Sequence, residues 1–218
     1  MDRKLFSVVT LALLATPLSG LGWGSDPVTE GVVTRVAAEA LVPSSFMIQP
    51  ESQLWLEGGS TVRSYKCAAT EIIGQVRTSG DGELPPLGQL VDAVEEAGIT
   101  IPVEELDCDN GTMNGHMLKA LNSKSHKTIE YELTGFEIVD GGDTAGKIEM
   151  KGRLTINGTE LAKTIPAEIE LAGDGTIRLK GQTELDMTEF GVKPPRLMLG
   201  TLKVHDDVTI HFDVIFRP

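Results

Sequence analysis

Few residues in this 218-residue chain are of a type and spacing to do chemistry. The four histidines are His116, His126, His205 and His211. His205 and His211 share a parity on a strand-like stretch. Six residues of strand would hold them roughly 20 Å apart, too far to share a metal ion. They alternate with apolar side chains, so both are expected to face solvent. Asp107, Asp109 and Gly111 resemble the start of a calcium loop, but the glycine comes one residue early and no glutamate closes a 12-residue loop. A capped turn leading into a helix suits them better. The chain has no G-x-S-x-G elbow, no P-loop and no H-E-x-x-H pair. An enzyme reading would rest on Tyr65, Tyr131 or a histidine. No catalytic residue, metal site or cofactor is assigned from these patterns.

Cys67 and Cys108 take their meaning from the N-terminus. Arg3 and Lys4 precede an apolar run over residues 5–14, and small and turn-forming residues follow. That is the layout of a secretory signal peptide. The run is about half the roughly 20 residues a membrane-spanning helix needs. The expected organisation is a signal peptide over residues 1–24, cleaved somewhere between Ala15 and Ser25. An N-terminal extension over 25–50 and a single barrel domain over 51–218 follow. An exported chain, periplasmic or secreted, meets an oxidising compartment, where Cys67 and Cys108 are expected to pair. A pair of buried free thiols is the alternative. A bridge of this span would remove roughly 4 kcal/mol of unfolded-state freedom in the chain-entropy description.

The elements that would carry these residues are mostly strands. In residues 147–156, Ile148, Met150, Leu154 and Ile156 share one face, and Lys147, Glu149, Lys151 and Arg153 the other. Asn157-Gly158 then signals a two-residue hairpin. Ile165, Ala167, Ile169 and Leu171 repeat the alternation, and Asp174-Gly175 supplies the next turn. Ile177, Leu179, Thr183, Leu185 and Met187 follow, and Val208, Ile210, Phe212, Val214 and Phe216 close the chain. These are half-buried antiparallel strands. Ile129, Tyr131 and Leu133 share one parity while Phe136 and Ile138 share the other, which predicts a bulge at Gly135. Eight strands are expected, near 53–57, 62–76, 99–106, 127–139, 146–156, 160–172, 176–187 and 205–217. Closing them into a barrel removes the sheet edges. Two short helices interrupt. One carries Leu87, Leu90, Val91 and Val94 between Pro85-Pro86 and Gly98; the other carries Met113, Met117, Leu118 and Leu121.

Charge narrows the partner classes. The 32 acidic residues exceed the 19 Lys and Arg, for a formal net charge of −13. That argues against nucleic acid and against a polybasic membrane-surface role. Aromatics make up 5% of the chain, which suits an aliphatic tube better than a stacking pocket. The inner face is almost uniformly aliphatic. It either packs a closed core or receives an apolar ligand, and periodicity alone does not choose between them.

Several stretches carry a family resemblance. Ser52-Gln53-Leu54-Trp55-Leu56-Glu57-Gly58 runs into Ser60-Thr61-Val62-Arg63-Ser64-Tyr65. Ile101-Pro102-Val103 leads to Leu106-Asp107-Cys108, then Met113-Asn114 and Lys119-Ala120-Leu121. Phe190-Gly191-Val192-Lys193-Pro194-Pro195 precedes Gly200-Thr201-Leu202-Lys203-Val204 and Asp207-Val208-Thr209-Ile210. Over residues 53–217 the chain resembles the YceI-like family of exported polyisoprenoid-binding proteins. The resemblance implies a mainly β fold, an eight-stranded antiparallel lipocalin-like barrel with one or two short helices. It implies an isoprenoid or other amphiphilic lipid as ligand and no catalytic residue. The inner wall would come from Phe136, Ile138, Ile148, Met150, Leu154, Ile169, Leu171, Ile177, Leu179, Ile210, Phe212 and Val214, with Met113 and Met117 capping one end. The competing reading is an envelope stress or interaction protein with a filled barrel and no lipid. A weak homodimer is compatible with either.

Overall fold

Each alternating segment pairs with its neighbour in the chain, and the last pairs with the first. The computed structural model describes residues 44–80, 83–197 and 202–218. The expected leader and most of the expected extension lie outside the described residues. The strands are β1 (Ser44–Ile48), β2 (Gln53–Ser60), β3 (Ser64–Ala69), β4 (Ile73–Thr78), β5 (Val94–Pro102), β6 (Leu106–Asp107), β7 (Thr128–Gly141), β8 (Ala145–Ile156), β9 (Thr159–Leu171), β10 (Ile177–Asp186), β11 (Arg196–Leu197) and β12 (Leu202–Arg217). Helices α1 (Leu87–Ala93) and α2 (Gly111–Ala120) follow β4 and β6.

The ring runs β1–β4–β5–β7–β8–β9–β10–β12 and returns from β12 to β1. On the same wall, β2 continues β1 and β3 continues β4, pairing in the order β12–β2–β3–β6. The segments therefore fill eight wall positions of a closed antiparallel barrel, as the spacing predicts. Between β1 and β2 the ladder to β12 is interrupted at Ile215. There the Ser52 hydroxyl accepts from the Ile215 N–H at 2.9 Å, and the Ile215 carbonyl accepts from the Gln49 N–H at 2.8 Å and from the Ser52 hydroxyl at 3.3 Å, so neither backbone group is left unpaired.

The turns follow their residues. Asn157 and Gly158 have φ of 51° and 75°, the left-handed pair of a tight hairpin, and Ile156 pairs with Thr159 across it. In β7 the register against β8 shifts between Leu133 and Gly135. This is the bulge expected from the phase change, and it lets Tyr131 and Phe136 both face inward despite opposite parity.

Two local expectations are corrected. The helical pattern through Val94 stops earlier: α1 ends at Ala93, and Val94 opens β5 by pairing with Thr78. Strand pairing, with Arg77 held by Glu95 and Glu96 on the outer face, prevails over the short i, i+7 pattern. Ser44–Ile48, inside the stretch expected to be an extension, is a wall strand with Phe46 fully buried. The six residues between Pro43 and Pro50 are too few to show a period.

Candidate ligand-binding lumen

The barrel has one filled end and one open end. At the filled end α1 lays Leu87 and Leu90, both nearly inaccessible, against Phe46, Phe136, Ile148, Ile169, Ile177 and Phe216. The Leu87 N–H donates to the Asp143 carbonyl at 2.7 Å, fixing α1 to the β7–β8 turn. Each such side chain contributes about 1.5–3 kcal/mol by leaving water.

Above this floor the lumen holds two adjoining chambers. The inner one, about 160 Å³, is walled by Leu54, Ile99, Leu133, Met150, Leu154, Leu179, Phe212 and Val214 among others; its polar side chains are Tyr131 and Thr183. The outer one is about 390 Å³ and reaches the mouth. Leu56, Leu106, Ile129, Ile156, Leu185 and Ile210 line both, so the chambers adjoin along shared walls.

Aromatic rings lie along the wall instead of across the bore. The Tyr131 ring rests on Gly152 and the Phe212 ring on Gly181, each glycine on the adjacent strand; Tyr65 rests on Gly58 in the same way. A side chain on the glycine would occupy the ring's place. The Tyr131 hydroxyl donates to the Met150 carbonyl at 3.1 Å, which pins the ring to the wall. Burial pushes the Tyr131 phenol up to about 12 and the Tyr65 phenol above its usual value.

Helix α2 crosses the mouth. The Asn110 side chain accepts from the Met113 N–H at 3.0 Å as N-cap. The Asp107 carboxylate accepts from the Asp109 N–H and from the Asn114 amide, at 3.0 and 2.7 Å. That is the capped turn expected of these acidic residues. The Cys67–Cys108 disulfide forms, joining β3 to the residue two before that cap. Both its cysteines line the outer chamber, as do Met113, His116 and Met117 from α2.

A family model for the YceI-like domain matches residues 59–216. The chain belongs to the YceI-like family. Among solved structures this YceI-like barrel is similar to BcnA of Burkholderia cenocepacia, at 17% identity and a TM-score of 0.62, covering 75% of this chain and 95% of that one. It is also similar to a polyisoprenoid binding domain from Saccharophagus degradans, at 10% identity and a TM-score of 0.61, covering 81% and 99%. The Campylobacter jejuni YceI protein gives 16% and 0.51, covering 69% and 83%. At these identities the likeness shows the shared fold. No curated protein matches the chain significantly.

The YceI-like barrel brings together part of the expected inner wall. Met150, Leu154, Leu179, Ile210, Phe212 and Val214 line the inner chamber, and Ile210, Met113 and Met117 line the outer one. Phe136, Ile148, Ile169 and Ile177 have the right parity but belong to the packed floor, with Leu171 partly buried beside them. Ile138 pairs with Ile148 at the same end and is 37% exposed. Strand parity gives the face of a residue and not its height along the barrel, and α1 fills that height. The sequence reading missed Leu56, Tyr65, Ile129, Ile156 and Leu185 as lumen residues, although Leu56 shares a parity with Leu54 and Leu185 with Leu179. It also gave His116 no place in the lumen, whereas the structure half-buries it on the chamber wall. His211 does face outward, stacked on Trp55 with ring centres 5.0 Å apart.

Proposed function

We propose that this protein is a non-enzymatic, exported binding protein of the periplasm that holds an isoprenoid-type lipid, a quinone or a polyprenyl chain, in its barrel. The apolar tail occupies the inner chamber and the head group faces α2. The observation that carries this reading is the lumen itself, an apolar passage open at one end and floored by α1 at the other. Burial of a hydrocarbon there gains about 25 cal/mol per Å², or about 0.8 kcal/mol per methylene. Pinning Tyr131 and Phe212 to the wall keeps the bore free for a chain, where a filled barrel would turn rings of that size inward.

Two further observations support it. The Saccharophagus degradans domain with this fold is a polyisoprenoid binding domain. The disulfide suits an oxidising compartment, in keeping with the leader expected from the sequence. Leu179→Trp is the direct test, because it fills the inner chamber from its own wall. Native mass spectrometry with an added isoprenoid quinone should give an adduct for the wild type and bare protein for the folded variant. An equal adduct on both would contradict the assigned tail position.

A further inference from the structure

Neither chamber has an acidic residue in its described lining, in a chain where Asp and Glu outnumber Lys and Arg by 32 to 19. The polar lining is concentrated in the outer chamber, in Ser60, Arg63, Tyr65, Asn110, Thr112 and His116. Ser60 is used by the β2–β3 turn, where its hydroxyl donates to the Arg63 carbonyl at 2.8 Å and accepts from the Arg63 N–H at 3.2 Å. The other groups are differently placed. Among the described residues the Arg63 guanidinium has no ion pair, and the Tyr65 and Thr112 hydroxyls and the His116 ring have no hydrogen bond. Asn110 spends its carbonyl oxygen on the α2 cap, which leaves its amide hydrogens.

These groups line one chamber at the head of the apolar lumen: an exposed guanidinium, two hydroxyls, an imidazole and an amide. The N-terminal turn of α2 adds its partial positive charge. A neutral carbonyl or alcohol head would leave the guanidinium without a matching charge. An oxyanion takes two parallel hydrogen bonds from it, and charge-assisted bonds of this kind are roughly twice as strong as neutral ones. The Tyr65 phenol is protonated at neutral pH, with burial raising it further, so it can donate.

Building on the lipid-binding reading above, we propose that the outer chamber selects an amphiphile whose head is an oxyanion, phosphate or carboxylate, with Arg63 and Tyr65 as the selecting groups. Titration of the purified protein, followed by native mass spectrometry, tests it with two matched pairs: geranylgeranyl phosphate against geranylgeraniol, and palmitate against hexadecanol. At least one acid should bind about tenfold or more tightly than its alcohol, and the pair with the larger ratio identifies the head. Arg63→Met should collapse that ratio to within about threefold, whereas Lys119→Met, which removes an exposed charge of α2 outside the chamber lining, should preserve it. Equal binding of acid and alcohol in both pairs, or a ratio that survives Arg63→Met, overturns the head-group proposal and leaves the lipid reading standing. Binding of none of the four compounds overturns the head-group proposal, and if an added isoprenoid quinone also gives no adduct the lipid reading falls with it.

Discussion

The Tyr131 ring lies across Gly152 on the neighbouring strand, its Cζ 2.5 Å from the point a Cβ on that glycine would occupy. This pairing holds the largest polar side chain of the inner chamber flat against the wall. A Cβ there would also meet the Glu132 carbonyl at 2.5 Å. Gly152→Ala is therefore expected to cost about 1–3 kcal/mol by overpacking, and to turn the ring into the bore. Urea unfolding measures the first effect, and loss of the lipid adduct in native mass spectrometry measures the second.

The same ring gives a pH signature. The chain has two tyrosines, and burial raises both, Tyr131 to about 12. In the unfolded chain both ionise near 10. Tyrosinate absorbance of the folded protein should thus lag behind that of the urea-unfolded protein between pH 10 and 12. The unfolded state releases its protons first over that range, so the stability these two phenols contribute is full below pH 10 and falls as pH rises toward 12. Tyr131→Phe should remove the latest-titrating step.

The floor makes a separate prediction. Leu90 on α1 is almost completely buried in the cluster that closes one end. Leu90→Ala should destabilise the barrel by about 2–5 kcal/mol. The mass of any bound lipid should not change, because Leu90 lines neither chamber. Chemical denaturation and native mass spectrometry together separate the two effects.

How much of this was legible in the sequence depends on what each signal reports. Period two reports the face of a strand, and it located the eight wall positions, the hairpin at Asn157-Gly158 and the bulge at Gly135. Period two says nothing about height in the barrel. Phe136 and Phe212 thus read alike, although one packs the floor and the other lines the passage. The floor depends on where α1 docks, a tertiary choice invisible in the spacing of Leu87 and Leu90. The aromatic-on-glycine pairs were also hidden, since Gly152 and Gly181 meet Tyr131 and Phe212 only through strand register. Arg63 and His116 became site residues only when the β2–β3 turn and α2 were brought to one mouth.

The disulfide offers a prediction about that mouth. Cys67–Cys108 ties the start of α2 to β3, and no residue of α2 is itself buried. Replacing both cysteines with serine should cost roughly 4 kcal/mol in the chain-entropy description. It should also expose the segment around Asp109 to protease before the barrel strands are cut, which limited proteolysis with mass mapping would show.

The central claim is that the lumen holds a lipid, and one measurement reaches it without choosing a ligand beforehand. Protein purified from its own cells and sprayed gently in native mass spectrometry should carry a discrete added mass, released by organic extraction and identified as an isoprenoid-type lipid. Only bare protein, with no shift when isoprenoid lipid is added back, would contradict the account.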